Sequence, residues 1–297
     1  MPIEPVAKVS DKVIRKIVFP AAGMGTRFLP ATKATPKEML TVVDRPLIQY
    51  GVEEALASGM DDIIMVTGRG KRAIEDHFDI SAELEANLHA AGKDELYREV
   101  SRVARMASVA YVRQKVAMGL GHAVLCAAPW VGDECFGVSL ADELMISDVP
   151  VMQQLREKHE ESGFSVVALA RVPEEDVSKY GIVDVDQEQG GLFRLHGMVE
   201  KPEAKNAPSN MAMIGRYIFT PRLFDFLKEG EIGVGGELQL TDAMNTLAKV
   251  EPVYGLLVNA ERFDAGNPLG FLIANATLGL KNKKYGDLLK AALEKLL

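Results

Sequence analysis

Three groups of residues in this chain have the chemistry to handle a phosphorylated substrate: a glycine-rich loop with two cations, two aspartates far apart in sequence, and a Glu-Lys pair before a proline. The loop is Ala21-Ala22-Gly23-Met24-Gly25-Thr26-Arg27-Phe28-Leu29-Pro30, followed by Lys37-Glu38-Met39-Leu40. Glycines such as Gly23 and Gly25 let backbone N–H groups turn toward phosphate oxygens, and Arg27 and Lys37 add positive charge where a polyphosphate would repel itself. The dinucleotide fingerprint G-x-G-x-x-G fails at its last position, where Phe28 stands, and no G-x-x-x-x-G-K-[ST] run occurs. Hydride transfer and P-loop chemistry therefore drop out.

Asp142 follows the apolar run F-G-V-S-L, which places it at the C-terminal end of a strand, where ligands of open α/β sheets collect. Asp264 stands in F-D-A-G, and Glu200-Lys201 in V-E-K-P. Taken singly, each aspartate is more often a turn or cap residue, and an isolated Glu-Lys-Pro is usually a surface turn. Other features are weaker. The acidic run Asp184 to Gly190 begins like a calcium loop, but its Gly is one position late and strand-like runs flank it, so a hairpin turn is expected. The histidines at 77, 89, 122, 159 and 196 form no H-x-x-x-H or H-E-x-x-H pattern, which argues against zinc, and His122 reads as structural.

The elements that must carry these residues follow from the spacing. Val13 to Phe19 is β-branched and breaks at Pro20 into the loop, so a strand leads into it. Pro46 opens a helical pattern through Leu47, Ile48, Val52, Ala55 and Leu56 that stops at Gly59, and Ile63 to Val66 is a buried strand. Further strands are expected near Val109 to Val112, Phe136 to Leu140 and Val166 to Leu169, with helical patterns over 69–105, 121–128 and 150–161. This alternation predicts an α/β fold with a mostly parallel sheet covered by helices on both faces. After Tyr180 the texture changes: Ile182 to Val185, Gly190-Gly191 and Leu192 to Val199 read as a hairpin, with another strand at Met213 to Phe219, an antiparallel extension. Thr220-Pro221 and Asn267-Pro268 read as capped helix starts. One catalytic unit over residues 1–297 is expected, with 268–297 as a helical appendage packed on the sheet or on another subunit.

Composition sets the outer bounds. The 297 residues are 47% hydrophobic and 26% charged, which is ordinary for a globular chain. A net charge of -8 argues against general affinity for nucleic acid or an anionic membrane, so a polyanion must bind in a local pocket. No apolar run is long enough to span a bilayer. Cys126 and Cys135 form no metal or redox motif and suit a reducing compartment, so a cytoplasmic protein is expected.

The stretch G-x-G-T-R-F-L-P-A-T-K-A-x-P-K-E-M-L resembles the signature of bacterial UTP:glucose-1-phosphate uridylyltransferases, and the likeness covers nearly the whole chain. Further matches are R-P-L-I-Q-Y (45–50), E-D-H-F-D (75–79), V-R-Q-K (112–115), G-L-G-H-A-V-L-C-A (119–127), Y-G-I-V (180–183) and V-E-K-P (199–202). A-P-S-N (207–210), I-G-R-Y (214–217), E-L-Q-L-T-D (237–242) and F-D-A-G (263–266) complete the set. The resemblance implies a Rossmann-like transferase fold that takes UTP and glucose 1-phosphate to UDP-glucose and pyrophosphate, with one Mg²⁺, as a homodimer or homotetramer. By position, Asp142 and Asp264 would hold the metal, and Arg27, Lys37 and Lys201 would be the catalytic cations. Ala22, Gly23, Gln114 and Gly119 would hold the uracil ring, with Gly25, Thr26 and Glu38 completing the nucleotide site. Tyr180, Gly181, Glu200, Lys201, Gly215 and Arg216 would line the sugar-phosphate site. Departures are Ala141, where proline is common, Gly236 in place of an aspartate, Ala265 in place of a cysteine, and Val116 and Ala117 in a loop usually more polar. None removes a proposed ligand.

Overall fold

The computed structural model describes residues 13–186, 188, 190–233 and 236–296. In chain order its elements are β1 (Lys16–Ala21), β2 (Thr41–Val42), β3 (Arg45–Pro46), α1 (Leu47–Ala57), β4 (Asp62–Thr67), α2 (Arg72–Phe78), α3 (Ala82–Ala90) and α4 (Asp94–Arg105). Next come β5 (Ser108–Arg113), α5 (Leu120–Cys126), α6 (Ala128–Val131), β6 (Phe136–Ser139), β7 (Glu143–Ile146), α7 (Val151–Ser162) and β8 (Ser165–Arg171). The chain continues through β9 (Gly181–Val185), β10 (Phe193–Glu200), β11 (Met211–Phe219), α8 (Leu223–Glu229) and α9 (Leu240–Ala248). It ends in β12 (Val253–Leu257), β13 (Glu261–Asp264), α10 (Pro268–Lys281) and α11 (Gly286–Leu293).

Among the described residues, nine strands form one sheet in the order β5-β4-β1-β6-β11-β8-β12-β10-β9. Strands β10 and β11 run against the rest, so the sheet is mixed but mostly parallel. The expected hairpin is β9–β10, with Val183 opposite Met198 and Gly181 opposite Glu200, and it reaches back to β11 through Ala212 and Ile182.

Alternation along each strand divides the core into two layers. Ile17, Phe19, Ile63, Met65, Val166 and Ala168 face one side with residues of α1, α2 and α7. Val18, Ile64, Val66, Val167 and Leu169 face the other with residues of α5, α8 and α9. Strands buried on both faces need near-continuous apolar sequence, which is why these runs were legible as strands. A third, smaller core of Val42, Leu47, Leu144, Phe263, Ala265 and Ala274 sits beneath α10.

Several boundaries differ from the sequence expectation. The first strand begins at Lys16 and includes Pro20, because its ladder with β4 runs from Lys16–Asp62 to Ala21–Thr67. The helical pattern over 69–105 is three helices, parted at Asp79–Ser81 and at Ala91–Lys93, where Gly92 takes φ +67°. Thr220 does not cap a helix: α8 begins at Leu223 without a side-chain cap, and Thr220 Oγ1 instead donates to Glu251 at 2.7 Å. Asn267 does cap α10, its side chain accepting from Gly270 N at 2.9 Å. The antiparallel pair β7–β13 was not anticipated, and it matters most for the site.

Candidate active site

The parallel strands β5, β4, β1 and β6 end along one edge of the sheet. Gln114 follows β5, Ala22 and Gly23 follow β1, and Asp142 lies just beyond β6. Gly25 takes φ +66°, which a side chain would strain, and turns the chain into a short 3-10 segment at Thr26–Phe28. Thr32 Oγ1 donates to the Gly25 carbonyl at 2.7 Å and pins the loop. Arg27 Nη1 reaches the Gly266 carbonyl at 3.4 Å, tying the glycine-rich loop to F-D-A-G.

Asp142 and Asp264 converge although 122 positions separate them, and β7–β13 is the reason. Glu143, the residue after Asp142, lies directly opposite Asp264 in that ladder. A Cβ built on Gly266 would stand 2.8 Å from Asp142 Oδ2 and 3.1 Å from Asp264 Oδ1. The two carboxylates therefore overhang one small space that only a glycine leaves open. Asp264 Oδ1 also accepts from Gly266 N at 3.0 Å. Two hard oxygen donors around an open space suit Mg²⁺, which commonly takes one or two carboxylates together with phosphates and water. Lys37 Nζ donates to Asp142 Oδ2 at 2.6 Å. Burial alone would raise the Asp142 pKa, but Lys37 outweighs it and holds the carboxyl below its ordinary value. Burial would likewise lower the Lys37 pKa, and the carboxylates of Asp142 and Glu38 carry it upward instead.

Beside this centre, Lys201 adopts φ +46°, a left-handed conformation uncommon for a residue with a side chain. Such strain persists where the surroundings over-determine it, and here Lys201 N donates to the Tyr180 carbonyl at 3.0 Å. Lys201 Nζ lies 3.1 Å from Glu200 Oε1, and Glu200 Oε2 accepts from Thr241 Oγ1 at 2.9 Å. Tyr180, Gly181, Glu200 and Lys201 thus form one patch at the root of the β9–β10 hairpin.

Two expected contact residues take other positions. Arg216 is 1% exposed, and all five of its N–H donors are engaged: Nε and Nη2 to Glu54, Nη1 to the carbonyls of Leu140 and Gly215, and Nη2 also to that of Glu143. It braces the backbone on both sides of Asp142, with Gly215 accepting in turn from Leu140 N at 2.9 Å. Glu38 is 1% exposed and paired with Lys71 at 2.6 Å, and its Oε1 is buried without a partner among the described residues. Gln114 Nε2 donates to the Gly119 carbonyl at 3.1 Å, so two of the four residues expected at the base do come together.

Arg262 and Glu143 were not anticipated. Arg262 donates twice to Glu143, each at 2.8 Å, and its guanidinium lies 4.6 Å above the Tyr180 ring. Burial pushes the Glu143 carboxyl up to about 7 against the pull of Arg262. The pair joins β7, which begins directly after Asp142, to β13, which ends at Asp264, and supports Tyr180. Its only local signal was adjacency to each aspartate motif.

The nucleotidyl transferase family matches this chain over residues 16–279. A UTP–glucose-1-phosphate uridylyltransferase of Bacillus subtilis is 46% identical over 96% of this chain and 98% of its own length. A second from the same organism, YngB, is 48% identical over 95% of each chain. A solved UDP-glucose pyrophosphorylase in complex with UDP-glucose superposes with a TM-score of 0.84 at 42% identity, covering 91% of this chain and 100% of that one. The Acinetobacter baumannii UDP-glucose pyrophosphorylase gives a TM-score of 0.88 at 38% identity, over 96% and 100% of the two chains. On this footing the chain belongs to the nucleotidyl transferase family, within its group of UTP–glucose-1-phosphate uridylyltransferases.

Proposed function

We propose that the protein joins UTP to glucose 1-phosphate at the edge described above, giving UDP-glucose and pyrophosphate. The observation that carries this reading is the convergence of Asp142 and Asp264 over Gly266, with Lys37 and Arg27 alongside. The nucleophile is a phosphate oxygen of glucose 1-phosphate, whose second pKa near 6 leaves it largely anionic at neutral pH, so no general base is required. That oxygen bonds to the α-phosphorus of UTP as the bond to the bridging oxygen of the β-phosphate breaks, and pyrophosphate departs with the electron pair. The work left to the protein is in-line alignment and neutralisation of charge.

Gln114, Gly119 and the Ala22-Gly23 backbone hold the base. Gly25, Thr26 and Arg27 turn the loop around the triphosphate, and Lys37 stabilises it. Lys201 places the attacking phosphate while Glu200 accepts from glucose hydroxyls and Tyr180-Gly181 lines the pocket. Glu38 and Arg216 act from behind the site. Asp142 and Asp264 would hold Mg²⁺, which when bound screens repulsion between substrate phosphates. We place the enzyme in the cytoplasm as a homodimer or homotetramer. Residues 1–297 act as one catalytic unit with 268–297 as its helical appendage. Among the described residues no helix is long and apolar enough to cross a membrane.

The test is pyrophosphate release with UTP, dTTP, CTP and GTP against a panel of sugar phosphates. UTP with glucose 1-phosphate is expected to give the highest kcat/KM. A better rate with CTP or GTP would overturn the base assignment, and a better rate with another sugar phosphate would overturn the sugar assignment.

A further inference from the structure

Gln114 is 7% exposed, and its amide is held in one orientation. Its backbone N donates to the Thr67 carbonyl at 2.9 Å, which fixes the residue at the end of β5. Nε2 donates to the Gly119 carbonyl at 3.1 Å and lies 2.9 Å from His122 Nδ1. A carbonyl oxygen can only accept, so Gly119 requires the nitrogen end of the amide on this side. With the nitrogen there, His122 Nδ1 must accept the second N–H. The ring N–H is then on Nε2. Cys126 Sγ, 4.0 Å from the same Nδ1, is a weak and distant donor by comparison. Both amide hydrogens are thereby used. Among the described residues nothing donates to Gln114 Oε1, so the side chain has only an acceptor left to offer.

We propose that His122 is a specificity-determining residue: by taking the second N–H of Gln114 it leaves that side chain able only to accept, which selects a pyrimidine carrying N–H at ring position 3. This rests on the placement of the base at Gln114 given under the proposed function. Uracil and thymine present an N3–H donor. Cytosine presents a lone pair at N3, which would face the Oε1 lone pairs. Turning the amide over to suit cytosine would set Oε1 against the Gly119 carbonyl, two acceptors facing each other, and would require the His122 proton to move to Nδ1. Without His122 only the Gly119 carbonyl holds the amide, which is then freer to turn and present N–H to cytosine N3.

Asparagine and leucine are close in shape, but only asparagine carries an acceptor near the position of Nδ1. The experiment measures kcat/KM for UTP and for CTP in the parent, His122→Asn, His122→Leu and Gln114→Ala, with thermal melts to confirm folding. His122→Leu is expected to lower the UTP/CTP ratio about tenfold, the scale of one hydrogen bond, while His122→Asn keeps most of it. If Gln114→Ala collapses the ratio and His122→Leu keeps the parental value, the role of His122 is overturned and the base site stands. If Gln114→Ala keeps the parental ratio, the base placement itself fails. Should His122→Leu not fold, the comparison passes to His122→Asn and His122→Ala, where equal ratios would overturn the proposal.

Discussion

Lys37 Nζ donates at 2.6 Å to Asp142 Oδ2, the same oxygen that overhangs Gly266 beside Asp264. A protein cation thus occupies the carboxylate that a metal ion would use. The pair is only partly exposed, with 24% and 23% of the two side chains accessible, so water screens it incompletely. On the proposed reading, Lys37 would have to give up this oxygen, or share it, on binding of metal and nucleotide.

Replacing Lys37 by methionine removes that competitor and the positive charge together. Mn²⁺ binding to the nucleotide-free protein, followed by electron paramagnetic resonance, is expected to tighten. Turnover should fall by about 10²–10³, the cost of losing one preorganised charge. Unchanged Mn²⁺ affinity would show that Lys37 and the metal do not compete.

Gly266→Ala places a methyl group against both carboxylates, 2.8 Å from Asp142 Oδ2 and 3.1 Å from Asp264 Oδ1. The expected result is weaker Mn²⁺ binding with a near-parental melting temperature. Parental metal affinity in a folded variant would mean that the ion does not sit over Gly266.

Asp142→Asn and Asp264→Asn should each weaken the dependence of initial rate on Mg²⁺ and lower the rate steeply. If both serve one ion, as proposed, the double variant should lose much less than the product of the single losses, as groups acting as a unit do. Full multiplicativity, with circular dichroism confirming folding, would separate the two aspartates into independent sites.

The Arg216–Glu54 pair should show its worth in stability. Both side chains are buried, at 1% and 9% exposure, so Arg216→Met leaves a carboxylate without its partner. Urea unfolding is expected to register a loss of about 3–5 kcal/mol, and adding Glu54→Leu should recover part of it. A loss under about 1 kcal/mol would reduce Arg216 to the level of a surface ion pair.

Stability should also fall on mild acidification. Burial lowers the His159 pKa, and Nδ1 donates to the Phe164 carbonyl at 2.7 Å; burial lowers His77 as well. The unfolded chain therefore binds the proton first, near its ordinary pKa of about 6.5, and stability rises with pH through the window below that value. Melting temperatures between pH 7.5 and 5.5 should drop less in His159→Asn, which keeps a donor but cannot titrate. An equal drop in both proteins would remove His159 from the account.

Much of this was readable from the chain because it is local. The strand, glycine loop and cations of the first motif lie within about thirty residues, and Asn267 caps α10 as its position before Pro268 implied. Short continuous apolar runs marked β1, β4 and β6, and Gly190-Gly191 marked the β9–β10 hairpin, because backbone preference and burial act at short range there. The family motifs supplied the aspartates.

The roles of Arg216 and Glu38 were not readable. A charged residue in a motif looks the same whether it meets a ligand or a buried partner, and those partners, Glu54 and Lys71, lie 162 and 33 positions away. Arg262 was silent for the same reason, since only the β7–β13 ladder brings it to Glu143. The sequence by itself determined most of the elements, the chemical inventory and the family. Tertiary structure alone decided which groups share a space. Asp142 and Asp264 meet over Gly266 because an antiparallel pair of short strands closes there, and no periodicity along the chain encodes a contact that distant.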